Sequence, residues 1–68
     1  MSCKFTVVIQ KEDDWYVAKC IENGVASQGR AIEESISNLK EAIELYYEDN
    51  EPEIVFTPAF VTTLEVAI

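Results

Sequence analysis

Few side chains in this sequence could do chemistry, because it contains no histidine. Histidine is the commonest general base and the commonest protein ligand of transition metals. The two cysteines, Cys3 and Cys20, lack the close spacing of a zinc or redox pair. We expect both thiols to be buried and reduced, and a disulfide between neighbouring strands is the alternative.

The carboxylates form two clusters. Residues 12–14 lie in one polar turn, and Glu48, Asp49, Glu51 and Glu53 follow the predicted helix. Two-metal nucleases hold their ions with acids from strand centres, and Glu65 is the only acid within a predicted strand. No glycine loop of the phosphate-binding kind is present. We therefore expect solvated acids, with no catalytic residue, metal or cofactor. A minimal metal-dependent nuclease using Asp13, Asp14 and Glu65 is the alternative.

The first part of the chain predicts an antiparallel sheet. Residues 4–10 and 15–21 are rich in β-branched and aromatic side chains, which favours two strands joined by a polar turn. We predict the register that places Gln10 opposite Trp15. Asn23-Gly24 is a strong hairpin signal and leads into a short third strand at 25–28.

Gly29 marks the turn into an amphipathic helix, whose predicted buried stripe recurs at helical spacing. The stripe comprises Ile32, Ile36, Leu39, Ile43 and either Tyr46 or Tyr47. Residues 60–68 then alternate as a final strand. A right-handed crossover would place that strand parallel to the first. The predicted architecture is α+β, in the order β-β-β-α-β, with one helix on one face of a four-stranded mixed sheet.

Size and charge limit the choice of partner. The chain has 68 residues, which predicts a single domain, 1–68. Its formal net charge of -8 disfavours nucleic acid and anionic membranes and favours a basic protein, although acidity can also serve only solubility. The N-terminus does not resemble a secretory leader, and no apolar run is long enough to span a membrane, so we expect a cytoplasmic protein.

The sheet face opposite the helix is expected to be apolar and uncovered. It would expose more apolar surface than a monomer usually shows: Val8, Trp15, Val17, Ile21 and some of Val61, Thr63 and Ala67. We therefore expect self-association or a protein partner. The candidate contact residues are Trp15, Val17, Asp13, Asp14, Glu48, Asp49, Glu51 and Glu53.

Five segments in this order resemble the HicB family of type II antitoxins, which carry a HicB-like (UPF0150) domain. They are residues 4–9, 14–20, 27–29, 33–34 together with 38–46, and 60–66. The resemblance implies a partial RNase H-like fold without nuclease activity, in dimers or tetramers. It also implies a partner, a small basic HicA-type toxin that cleaves mRNA with a histidine and that the antitoxin neutralises.

Two positions depart from the family pattern. Ala31 stands where the family usually has a helix-capping Thr or Ser, and no DNA-binding segment follows Ile68. We therefore expect a single HicB-like domain that does not itself bind nucleic acid. A stand-alone oligomeric domain without a toxin is the alternative function.

Overall fold

The computed structural model describes residues 3–49 and 58–68. Three strands and one helix are formed, in an order that confirms the predicted α+β class. Their bounds are β1 Val7–Glu12, β2 Trp15–Cys20, β3 Ala26–Gly29 and α1 Ile32–Tyr46. The strands form one antiparallel sheet in the order β1-β2-β3.

A two-residue turn, Asp13-Asp14, joins β1 to β2. Asp13 adopts a positive φ of 54°, which aspartate tolerates better than most residues. The turn places Glu12 opposite Trp15, so the predicted pairing of Gln10 with Trp15 was wrong by two residues. Because side chains alternate between faces with a period of two, this even shift leaves every side chain on its predicted face.

The predicted Asn23-Gly24 hairpin is confirmed. Gly24 has a φ of +76°, and the backbone N–H of Val25 donates a hydrogen bond of 2.9 Å to the Asn23 side-chain oxygen. The Cys20 N–H donates to the Val25 carbonyl at 2.8 Å and closes the hairpin. β3 begins at Ala26, one residue later than predicted.

Gly29 allows β3 to lie directly against the start of the helix. A Cβ atom at this position would lie 2.7 Å from the backbone nitrogen of Ser35. As predicted, Ala31 is the N-cap residue and makes no capping hydrogen bond. The Ser35 hydroxyl instead donates to the Ile32 carbonyl at 2.7 Å, so the polar group of this fully buried residue is satisfied.

The core lies between the helix and the β2–β3 half of the sheet. Its buried apolar residues are Ala18, Cys20, Leu39 and Ile43. Phe5, Ile9, Val25 and Tyr47 pack against its margin. Cys20 is buried as predicted, whereas Cys3 is exposed, and both thiols are free.

The predicted helix stripe is only partly buried. Leu39 and Ile43 are buried, but Ile32 and Ile36 remain 45% and 46% exposed, and Tyr46 is exposed. Ile32 and Tyr46 are the first and last residues of the helix. Ile36 lies beside Val7 of β1, with which the helix makes little contact.

The predicted fourth strand is not part of this sheet. Residues 58–68 form no strand, and all of them are exposed, with Phe60 at 94% and Leu64 at 85%. A strand requires backbone hydrogen bonds to a neighbour, and the apolar alternation of the segment alone does not supply one. Within the described ranges the sheet has three strands, and the outer edge of β1 is unpaired.

Candidate partner-binding surfaces

Two surfaces of the domain combine apolar side chains with incomplete cover. The first is the open face, the side of the sheet away from the helix, defined by Val8, Trp15, Val17 and Ile21. Val8, Trp15 and Val17 are half-buried and Ile21 is 50% exposed. Exposed polar residues, Gln10, Lys19 and Gln28, lie between them. The open face is therefore mixed, and the expectation of an apolar, uncovered face holds only in part.

Arg30 lies over the only tryptophan of the chain. Its guanidinium carbon is 4.6 Å from the centre of the Trp15 ring, a distance suited to a cation–π interaction. The pairing of Tyr16 with Gly29 brings the residue after Gly29 to the level of Trp15. Sequence reasoning missed Arg30 because this contact depends on the β2–β3 register.

The two acidic clusters lie at opposite ends of the domain. Asp13 and Asp14 are exposed at the β1–β2 turn, near the start of the helix. Glu48 and Asp49 are exposed beyond its end. The fifteen-residue helix between them is about 22 Å long, so the clusters cannot form one compact site. The other two predicted acids, Glu51 and Glu53, lie outside the described residues.

Glu22 is a carboxylate with a defined structural role that sequence reasoning missed. Its side-chain oxygen accepts a hydrogen bond of 2.7 Å from the backbone N–H of Thr6, and the Ile21 N–H donates to the Thr6 carbonyl at 2.9 Å. The bond from the Thr6 backbone lowers the pKa of Glu22, because it stabilises the ionised carboxylate. Glu22 therefore fastens the residues that lead into β1 to the end of β2.

The second surface is the edge groove, which runs between β1 and the helix. Its apolar lining is formed by Phe5, Val7, Ile36, Leu39 and Ile43, with Cys3, Lys40 and Glu44 at its rim. The groove has a volume of about 620 Å³. It exists because the helix lies over the other half of the sheet, and it borders the unpaired edge of β1.

In the part of the chain that is described, the acidic and cysteine side chains do not assemble into a metal site. No set of three His, Cys, Asp or Glu residues there is close enough to hold a metal ion. The trio proposed for a nuclease, Asp13, Asp14 and Glu65, is therefore not gathered. The described helix is also too short and too polar to cross a membrane.

These features define a one-helix α+β domain whose sheet is half covered. A family model for a family of unknown function, DUF7387, matches residues 4–56, and the chain belongs to this family. The chain is also similar to two UPF0150 proteins, as its sequence segments predict. One, from Helicobacter pylori, is 47% identical over 45 residues, which cover 65% of this chain and 62% of that protein.

The second relative, a UPF0150 protein from Synechocystis, is 50% identical over 46 residues, which cover 65% of this chain and 58% of that protein. The chain thus spans about three-fifths of the length of the curated relatives it matches. No solved structure matches it significantly.

Proposed function

We propose that this protein is a non-catalytic antitoxin that binds and neutralises a small basic HicA-type ribonuclease. The similarity to UPF0150 proteins supports a HicB-like role for the domain. On this proposal the fold is a partial RNase H-like fold that serves binding. The protein would act in the cytoplasm, where such a toxin meets mRNA.

The open face carries the proposal. Trp15 and Val17 are half-buried there, and the helix covers the other side of the sheet. Large aromatic side chains on a partly apolar surface are typical anchors of protein interfaces. A partner bound to this face would complete the burial of Trp15 and Val17. It would also replace the Arg30 guanidinium in its contact with the Trp15 ring.

The charge supports a basic partner. The net charge of -8 raises the rate of encounter with a cationic protein, and Asp13 and Asp14 are exposed beside the Trp15 end of the open face. We therefore assign Trp15, Val17, Asp13 and Asp14 to the contact with the toxin. Glu48 and Asp49 lie at the other end of the domain and would act through long-range attraction only.

The test is co-expression with any small basic, histidine-containing protein that is encoded beside this gene. We expect the two proteins to co-purify, RNA cleavage by the partner to stop, and association to slow as salt screens the charges. Failure to co-purify, or unchanged RNA cleavage in the presence of excess antitoxin, would contradict the proposal.

A matched pair of variants locates the contact. Val17→Lys places a charge on the open face, and we expect it to weaken toxin binding about tenfold or more. Leu45→Lys makes the same change in charge on the outer side of the helix, where Leu45 is 69% exposed, and should bind as the parent does. Thermal unfolding of both variants checks that each remains folded, and equal weakening by both would place the contact elsewhere.

The stand-alone oligomeric domain remains the second candidate function. The exposed apolar residues of 58–68 favour it, since they supply surface for self-association whether or not a toxin exists. Normal oligomerisation combined with no partner in the co-expression experiment would favour this candidate.

A further inference from the structure

We propose that residues 60–68 of one copy of this chain pair with the free edge of β1 in a second copy and fill its edge groove, reciprocally. The product is a two-fold dimer in which each sheet gains a fourth strand from the other chain. This inference concerns the assembly of the domain and does not depend on a toxin.

The acceptor is a strand edge with which no described residue pairs, and it lies beside an apolar groove. β1 is the outer strand of the sheet, so its outward N–H and C=O groups are available to another strand. Next to that edge, Val7 is 36% exposed and Ile36 is 46% exposed. A strand laid along β1 would satisfy the backbone groups and would cover both side chains in the same step.

The donor segment has the composition that such a groove requires. Its alternate residues are Phe60, Thr62, Leu64, Val66 and Ile68, so one side of an extended strand would be almost wholly apolar. Phe60, Leu64, Val66 and Ile68 are all exposed, each by more than half. Leaving these four side chains in water forfeits the hydrophobic free energy that their burial would supply.

One observation favours a second copy as the acceptor. The described segment 58–68 does not occupy the groove of its own chain, where it would have formed a fourth strand. Reciprocal exchange also fills two grooves at once, which brings the buried surface closer to the ~1,200 Å² that a stable interface needs.

The test begins with the mass of the full chain in solution at micromolar concentration. Light scattering after size exclusion should give twice the 7.7 kDa mass of the chain. Leu64→Lys places an ammonium group in the apolar groove and should weaken dimerisation about tenfold or more. Leu45→Lys, on the outer side of the helix, should dimerise as the parent does.

A mixed-label experiment then identifies which chain supplies the strand. In a sample of labelled and unlabelled chains, isotope-filtered nuclear Overhauser effects should connect the β1 amides of one copy with Leu64 and Val66 of the other. A monomeric parent, or a dimer in which these contacts occur only within one chain, would overturn the proposal. Loss of toxin binding with an intact exchanged dimer would instead reject the antitoxin proposal alone.

The exposed thiol provides an independent readout. Cys3 lies at the rim of the edge groove, whereas Cys20 is fully buried and should not react with a thiol reagent. An exchanged strand would shield Cys3, so its labelling should be several-fold slower in the parent than in the Leu64→Lys variant. Equal labelling rates in the two proteins would contradict occupation of the groove.

Discussion

The four apolar residues on the inner side of the helix meet different surroundings along its length. Leu39 and Ile43, in the second half of α1, are buried, whereas Ile32 and Ile36, in its first two turns, are nearly half exposed. Both pairs belong to one amphipathic stripe in the sequence. The difference shows that a helix lying over β2 and β3 leaves part of its stripe open, and Ile36, which lines the edge groove beside Val7, depends on additional chain for its cover.

Substitutions in the buried pair and in the exposed pair of helix residues provide the sharpest test of this difference. Leu39→Ala removes a side chain that is 1% exposed and should lower the free energy of unfolding by about 3 kcal/mol, because it leaves a cavity. Ile36→Ala, at 46% exposure, should cost about 1 kcal/mol or less. Urea unfolding of both variants in the Leu64→Lys background measures these costs without a contribution from dimerisation.

Repeating the pair in the parent chain tests the exchanged strand. The cost of Ile36→Ala should rise in the parent, where the second copy covers this residue, and the cost of Leu39→Ala should change less. Similar costs for both residues in the Leu64→Lys background would mean that the helix does not favour one half of the sheet.

Gly29 tests how closely the covered half is packed. In Gly29→Ala the new Cβ would lie 2.7 Å from the Ser35 nitrogen and 2.9 Å from the Glu34 carbonyl carbon, and both are backbone atoms. We expect the free energy of unfolding to fall by about 2 kcal/mol, because the helix must shift away from β3.

Gly24 is the control for this prediction. It has open space around it but a φ of +76°, so the effect of a substitution there is conformational. Gly24→Asn should be nearly neutral, since asparagine tolerates this φ, whereas Gly24→Ala should cost about 1 kcal/mol. A neutral Gly29→Ala would show that the contact between β3 and the helix is looser than described.

The smallest predicted effect is the pH dependence of the stability that Glu22 contributes through its hydrogen bond to Thr6. The hydrogen bond from the Thr6 backbone lowers the pKa of Glu22 in the folded protein, so the ionised carboxylate stabilises the fold fully at any pH above the ordinary glutamate pKa. That stabilisation is lost as the pH falls through the folded value. Glu22→Gln should therefore differ most from the parent near neutral pH, and the difference should vanish in acid.

Unfolding curves between neutral and acidic pH measure this convergence. Glu41→Gln, which makes the same chemical change at an exposed helix carboxylate, is the matched control for the loss of one negative charge. A Glu22→Gln curve that stays parallel to the parent at every pH would contradict the role assigned to the Thr6 contact.

Local sequence signals predicted most of the fold. Asn23-Gly24 specified the second hairpin, and Gly29 marked the start of the helix, because both signals depend on backbone conformation within a few residues. The β1–β2 register was off by two residues because Asp13 adopts a positive φ and allows a shorter turn. The strand faces were still correct, since an even shift preserves them.

Features that depend on where elements lie in space could not be predicted in the same way. The helical period identified the apolar stripe, but only the seating of the helix over β3 decided that Ile36 is exposed and Ile43 buried. The acids were grouped by sequence proximity, and the structure places Asp13 and Glu48 at opposite ends of the domain. The contact of Arg30 with Trp15 crosses between elements and has no local signal.

Trp15 is the only tryptophan of the chain, and its position makes it a natural fluorescence probe of the open face. Tryptophan emission responds to the polarity and charge around the ring, and here one guanidinium and one sheet face supply most of that environment. Binding of a partner to the open face would shift the emission maximum of Trp15, whereas filling of the edge groove would leave it nearly unchanged. Spectroscopy on the untagged chain can thus separate the two kinds of association without introducing a dye.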